Sequence, residues 1–146
     1  TGMFRFRVIY GPKVVSSEFI RHTPPVVTSL KIVYDDAISY EDKFENRTSL
    51  VKLFEQRGHC DEIIIVKNGF VTDASIANLA FRKGSKWVTP KTYLLNGTMR
   101  QFLLEQKIIT EEDIRVEDIS RYERIKLINC MLAFDGPEVD VTQTVK

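Results

Sequence analysis

Glu62-Ile63-Ile64-Ile65-Val66-Lys67-Asn68-Gly69-Phe70-Val71-Thr72-Asp73-Ala74-Ser75-Ile76-Ala77-Asn78 is the stretch that decides how this chain folds. Ile63 to Val66 is an unbroken run of β-branched residues, which suits a strand covered on both faces. Asn68-Gly69 follows. Asn-Gly is the strongest short hairpin signal, because a type I′ turn needs positive φ at both central residues. Phe70-Val71-Thr72 is then the return strand. It delivers Asp73 to the small residues Ala74 and Ser75, and on to Asn78.

Outward from this hairpin the pattern changes period. Leu50, Val51, Leu53 and Phe54 predict one face of a helix over residues 48–57, with Gly58 as the residue that ends it. On the other side, residues 79–82 and 86–88 flank Gly84-Ser85 and read as a second hairpin. Residues 90–96 form a loop, and Gly97 opens a helix carrying Met99, Phe102, Leu103 and Gln106. Nearer the start, Phe4, Phe6, Val8 and Tyr10 alternate with Arg5, Arg7 and Ile9, the pattern of a half-buried strand. Gly11-Pro12 turns into a strand over residues 14–20. Thr23-Pro24-Pro25 breaks it, and residues 26–34 read as a third strand. Towards the end, residues 110–113 predict a helical turn, 114–116 a short strand and 119–124 a brief helix or turn. Residues 125–134 read as an apolar strand containing Asn129 and Cys130, and the tail as an edge strand. No repeat, linker or low-complexity segment interrupts this order, so residues 1–146 read as a single domain.

Composition narrows the function. A chain of 146 residues buries about 70% of its unfolded surface, enough for a real core. A net charge of +1 makes no electrostatic case for nucleic acid or an anionic membrane. No apolar run approaches the roughly 20 residues of a membrane span, and no signal peptide is visible. Cys60 and Cys130 read as reduced thiols of a cytoplasmic protein. His22 and His59 stand in no metal-ligand spacing, so neither a metal site nor a Ser–His triad is expected.

Three places offer chemistry. Lys43, beside Tyr40 and Phe44, is a candidate amine nucleophile, since partial desolvation would lower its pKa. Asp73 reads either as a local cap, accepting from the amides of Ser75 or Ile76, or as a carboxylate aimed at a cationic ring nitrogen. Asn96-Gly97-Thr98-Met99 stands at a helix start, where backbone donors and the dipole favour an anion.

Taken in order, these pieces resemble the class IV aminotransferases, the fold-type IV pyridoxal phosphate enzymes. Lys43-Phe44-Glu45-Asn46-Arg47 matches the family's lysine motif, K-x-x-N-R. Asp61 to Gly69 matches its acidic strand and turn. Asp73-Ala74-Ser75-Ile76-Ala77-Asn78 matches E-x-x-x-x-N, with Asp for the usual Glu. Thr89-Pro90 and Leu95-Asn96-Gly97-Thr98-Met99-Arg100 complete the set, and Asn96 to Gln101 is most similar to the 4-amino-4-deoxychorismate lyase branch. Branched-chain and D-amino acid aminotransferases are the alternatives within the family, and a non-catalytic fragment or assembly domain is the alternative outside it.

The resemblance implies an α+β fold: a mixed β pseudo-barrel with outer helices, like the large domain of D-amino acid aminotransferase. It implies that the family's N-terminal small domain is absent. It implies pyridoxal 5′-phosphate as cofactor, a small-molecule amino substrate and a homodimer. Lys43 would join the cofactor covalently and move the proton. Asp73 would hold the ring nitrogen protonated, with Asn78 also at the cofactor. Gly97 and the amides of Thr98 and Met99 would bind the phosphate. Asn129 and Cys130 would close the site, and Arg100 would be structural.

Overall fold

A computed structural model describes residues 1–40, 43 and 46–146. The N-terminal strands β1 (Phe4–Tyr10) and β2 (Val14–Arg21) pair antiparallel as a separate ribbon. Next come β3 (Leu30–Tyr34), α1 (Thr48–Glu55), β4 (Glu62–Lys67) and β5 (Phe70–Val71). They are followed by β6 (Asn78–Lys83), β7 (Lys86–Pro90), α2 (Thr98–Glu105) and β8 (Thr110–Glu112). A 3-10 turn, Val116–Arg121, leads to β9 (Arg124–Ile128), β10 (Glu138–Asp140) and β11 (Thr144–Val145).

Two mixed sheets form the body. One has the order β11-β3-β4-β5, the other β10-β9-β6-β7-β8. The fold is therefore α+β with helices outside, as expected, and among the described residues neither sheet closes into a barrel. The β4 run explains the layering. Successive side chains of a strand point to opposite faces. Ile64 and Val66 join Leu79, Phe81, Ile125 and Leu127 of the second sheet in the central core. Ile63 and Ile65 face the other way and pack on Leu50 and Leu53 of α1. On the far side of the second sheet, Ala80 and Ile128 pack on Leu103 of α2. Asn68 and Gly69 have φ values of 51° and 80°, the positive pair that a type I′ turn requires.

Several local readings are corrected by tertiary contacts. The third strand starts at Leu30, because Thr28 and Ser29 instead surround the Asp61 carboxylate, the Thr28 amide and hydroxyl each donating to Oδ2 over 2.8 Å. Residues 110–112 are a strand, not a helical turn, since they pair in parallel with β7. Arg115 joins Phe70 through an isolated bridge and not a strand, and Val116 already belongs to the 3-10 turn. The late strand stops at Ile128, where the Asn129 side chain accepts from the amides of Met131 and Leu132 and turns the chain; Asn commonly turns a chain through such local bonds. The ribbon keeps its period of two, but Phe4, Phe6, Val8 and Tyr10 remain exposed, with Phe6 stacked on Phe19 across the ribbon. Among the described residues no helix is long and apolar enough to cross a membrane.

Val51 also departs from the expected helix face: Leu50 and Leu53 are buried, whereas Val51 is 52% exposed. Leu53→Ala is therefore expected to cost about 2–5 kcal/mol of stability and Val51→Ala less than about 0.5 kcal/mol. Urea unfolding followed by circular dichroism measures both, and equal midpoints would contradict this packing.

Candidate functional site

Asp73 stands where the chain crosses from one sheet to the other. Strand pairing continues just past β5: the Thr72 amide donates to the Ile65 carbonyl and the Ile65 amide to the Asp73 carbonyl, both over 2.9 Å. The Ala74 amide then donates to the Ala77 carbonyl, closing a turn, and Asn78 opens β6. The Asp73 side chain is buried, at 5% exposure. Its Oδ1 accepts from Asn78 Nδ2 at 2.8 Å, and its Oδ2 accepts from the amides of Leu94 and Leu95, each at 2.9 Å. The local cap expected from Ser75 or Ile76 does not form, because the Ser75 amide is taken by Glu62. Burial raises the Asp73 pKa from its ordinary 3.8 to about 6, against the pull of these donors and of Arg100. An ionised carboxylate has about four acceptor positions. Three are filled here, and one acceptor position, on Oδ1, takes no hydrogen bond from the described residues.

Asn78 and Gly97 fit this carboxylate to the start of α2. Asn78 Nδ2 also donates to the Leu95 carbonyl at 2.8 Å. A Cβ at position 97 would meet Asn78 Oδ1 at 2.3 Å, so glycine is required here for space. Its φ of −63° is open to any residue. Behind it, Thr98 begins α2, with no side-chain cap and no acid in the first turn. The first amides of such a helix have no intrahelical partner and carry the positive end of its dipole. Arg100, expected to be structural, is 2% exposed. It donates to Asn96 Oδ1 and the Pro90 carbonyl over 3.0 Å and to Glu111, with its guanidinium 4.4 Å from the centre of the Tyr93 ring. It thus braces both ends of the loop whose amides hold Asp73.

Lys43 is exposed, so the expected desolvation is absent; Phe44 lies outside the described residues, and Tyr40 is buried with Ile38 and Leu94. No hydrogen bond joins Lys43 to Asp73, Asn78 or Gly97. The structure thus gathers Asp73, Asn78 and Gly97 with the first amides of α2, and leaves Lys43 on the segment leading into α1. Asn129 donates to the Ile76 carbonyl at 3.0 Å, which sets the exposed Cys130 beside the Asp73 turn, on a turn and not in a strand. A cleft of about 370 Å³ is lined by Ile38, Lys67, Thr72, Thr92 and Leu94, and Asp73 and Gly97 are not among its walls. No cluster of metal-binding side chains occurs among the described residues.

Sequence reasoning missed the amides of Leu94 and Leu95, which no side-chain pattern marks. It also missed the role of Glu62. That residue had a signal: it is a charged side chain directly before the apolar run Ile63 to Val66, and its own exposure is 2%.

The family model described as amino-transferase class IV matches residues 49–134, and the chain belongs to that family. The matched span contains Asp73, Asn78 and Gly97 to Met99; Lys43 lies just ahead of it. An uncharacterised protein of Haemophilus influenzae is 43% identical over 129 residues, 88% of this chain and 69% of that protein. The crystal structure of a "putative 4-amino-4-deoxychorismate lyase" from Haemophilus somnus matches with a TM-score of 0.85 and 44% identity, over 89% of this chain and 67% of that one. A "putative aminodeoxychorismate lyase" of Schizosaccharomyces pombe is 39% identical over 74 residues, 47% of this chain but 32% of its own length.

The raised pKa of Asp73 has a consequence for stability. A folded-state pKa above the unfolded one contributes stability that is full below pH 3.8 and is lost as the pH rises through about 6. The melting temperature of Asp73→Asn relative to the parent should therefore climb between pH 4 and about 7, then level off. Thermal unfolding of both proteins across this range reads the difference directly. A difference that does not change with pH would mean that Asp73 titrates normally.

Proposed function

We propose that the chain carries the pyridoxal 5′-phosphate site of a lyase-type member of the family, acting on 4-amino-4-deoxychorismate. The observation that carries this reading is the buried Asp73 carboxylate, with one acceptor position not filled by the described residues, set across Gly97 from the uncapped start of α2. Together they offer one end of a ligand a proton-holding anion and the other end a cluster of amide donors. Pyridoxal phosphate, when bound, supplies an electron-poor ring that accepts the electron pair left as a bond to the amine-bearing carbon breaks.

The residues divide the work as follows. Asp73 holds a proton at the ring nitrogen, and a buried carboxylate does this well because exclusion of water strengthens its attraction for the cation. That cation in turn relieves the cost of burying the Asp73 charge. Asn78 and the amides of Leu94 and Leu95 fix the carboxylate in one orientation. Gly97 and the amides of Thr98 and Met99 hold the phosphate at the positive end of α2. Lys43 supplies the amine that anchors the cofactor and carries the proton to and from the substrate carbon. Asp73 is one methylene shorter than the Glu usual in the family motif, so its backbone would have to stand closer to the ring nitrogen, or a water would have to bridge the two.

The lyase assignment is favoured by the Asn96 to Gln101 motif and by the two lyase-named relatives. It is tested by giving the complete protein aminodeoxychorismate without an amino acceptor. Pyruvate and 4-aminobenzoate should appear over many turnovers. A reaction that stops after one turnover until a 2-oxo acid is added would establish transamination instead.

The residue roles are tested separately. Borohydride trapping of the complete protein with pyridoxal phosphate should place the label on Lys43 in the peptide map, and a label on another lysine would overturn the assignment. Asp73→Asn should lower turnover by on the order of 10²-fold, the scale of losing a preorganised charge contact, while Asp73→Glu stays active. Full activity in the Asn variant would reduce Asp73 to a structural bond.

A further inference from the structure

We infer that Glu62 and Arg47 are positioning residues for Lys43: a Glu62–Ser75–Arg47 chain fastens the segment after the lysine to the turn that carries Asp73. This rests on the reading of Lys43 and Asp73 given above. Glu62 Oε1 accepts from the amides of Ile63 at 2.8 Å and Ser75 at 3.2 Å, and Oε2 accepts from Ser75 Oγ at 2.8 Å. The Ser75 carbonyl in turn accepts from Arg47 Nη2. Ser75 is two residues from Asp73, and Arg47 is four residues from Lys43. Four extended residues span at most about 14 Å, so fixing Arg47 bounds where the lysine can reach.

The neighbouring residues complete the device. Asn46 Oδ1 accepts from the Thr48 amide at 3.0 Å and the Thr48 hydroxyl at 2.7 Å, and the Val51 amide donates to the Arg47 carbonyl at 2.9 Å. The Asn-Arg half of the lysine motif therefore starts α1 and ties that start to the Asp73 turn. From the other side, Leu50 and Leu53 hold α1 against β4. The start of α1, four residues after Lys43, is thus tied both to β4 and to the turn after Asp73.

Burial raises the Glu62 pKa, against its hydrogen bonds and the charge of Arg47. The Glu62 carboxylate satisfies the amides of Ile63 and Ser75 and the Ser75 hydroxyl, and an apolar residue there would leave these buried donors unpaired. What the carboxylate adds is direction, because it accepts from the Ser75 amide and hydroxyl at once and so sets the Ser75 carbonyl for Arg47.

The test uses the complete protein and the variants Glu62→Gln, Arg47→Met, the double variant, and Val139→Ala as a core control in β10. Three quantities are read: the rate of borohydride-trappable pyridoxal phosphate incorporation at Lys43, amide hydrogen exchange over residues 48–53 without cofactor, and the unfolding midpoint. Each single variant should slow labelling about tenfold or more and speed exchange at the start of α1, as expected when a reacting group is misplaced. The double variant should be no slower than the worse single one, because both break one chain. Labelling and exchange that follow the unfolding midpoint, as in Val139→Ala, would overturn the inference, as would multiplicative effects in the double variant. Arg47 is exposed, so its variant keeps the fold even where Glu62→Gln does not. A parent protein that is not labelled at Lys43 would overturn the proposed function, and this inference with it.

Discussion

Desolvation of one carboxylate organises this molecule. Asp73 lies at the crossing between two sheets, and burying its charge is unfavourable unless the surroundings supply donors. Those donors come from distant parts of the chain: Asn78 at the start of β6, and the amides of Leu94 and Leu95 in the loop after β7. Arg100 then holds that loop shut from within α2. The crossing, the loop and the helix start are in this sense one unit, and the sheets around them serve as its frame.

The frame itself was largely legible. The Ile63 to Val66 run, the Asn68-Gly69 turn and the second hairpin all stand where local pattern places them, because each is decided by neighbours within a few residues. Legibility failed where a distant contact overrode local preference. Residues 110–112 extend because β7 offers them a parallel edge. Residues 129–133 turn because the Asn129 side chain competes for the backbone. Of the residues that a motif marked, Asp73, Asn78 and Gly97 lie together in the structure. The Leu94 and Leu95 amides were invisible because every residue has an amide, and only the fold aims it. The exposure of Lys43 was equally unreadable, since burial depends on what the rest of the chain lays over a loop.

The two buried acids divide their partners differently. Asp73 is held mainly by backbone and amide donors and, among the described residues, keeps one acceptor position. Glu62 is enclosed by Ser75 and its own strand, with Arg47 nearby. In the proposed function the first meets the ligand, whereas the second holds protein to protein. Family membership is consistent with both, since the matched span includes the two acids and the start of α2.

The contact between Gly97 and Asn78 turns size into charge. Nothing in the backbone at position 97 forbids a side chain; only the Asn78 amide stands in the way, at 2.3 Å from where a Cβ would sit. Asn78 cannot yield without leaving Asp73 Oδ1 or the Leu95 carbonyl. A single methyl group at a helix start would therefore register as a change in the proton affinity of a carboxylate one residue-contact away. For an evolving sequence, positions 78 and 97 are not free to vary independently: a larger residue at one calls for a smaller residue at the other, and each such exchange retunes the acid between them.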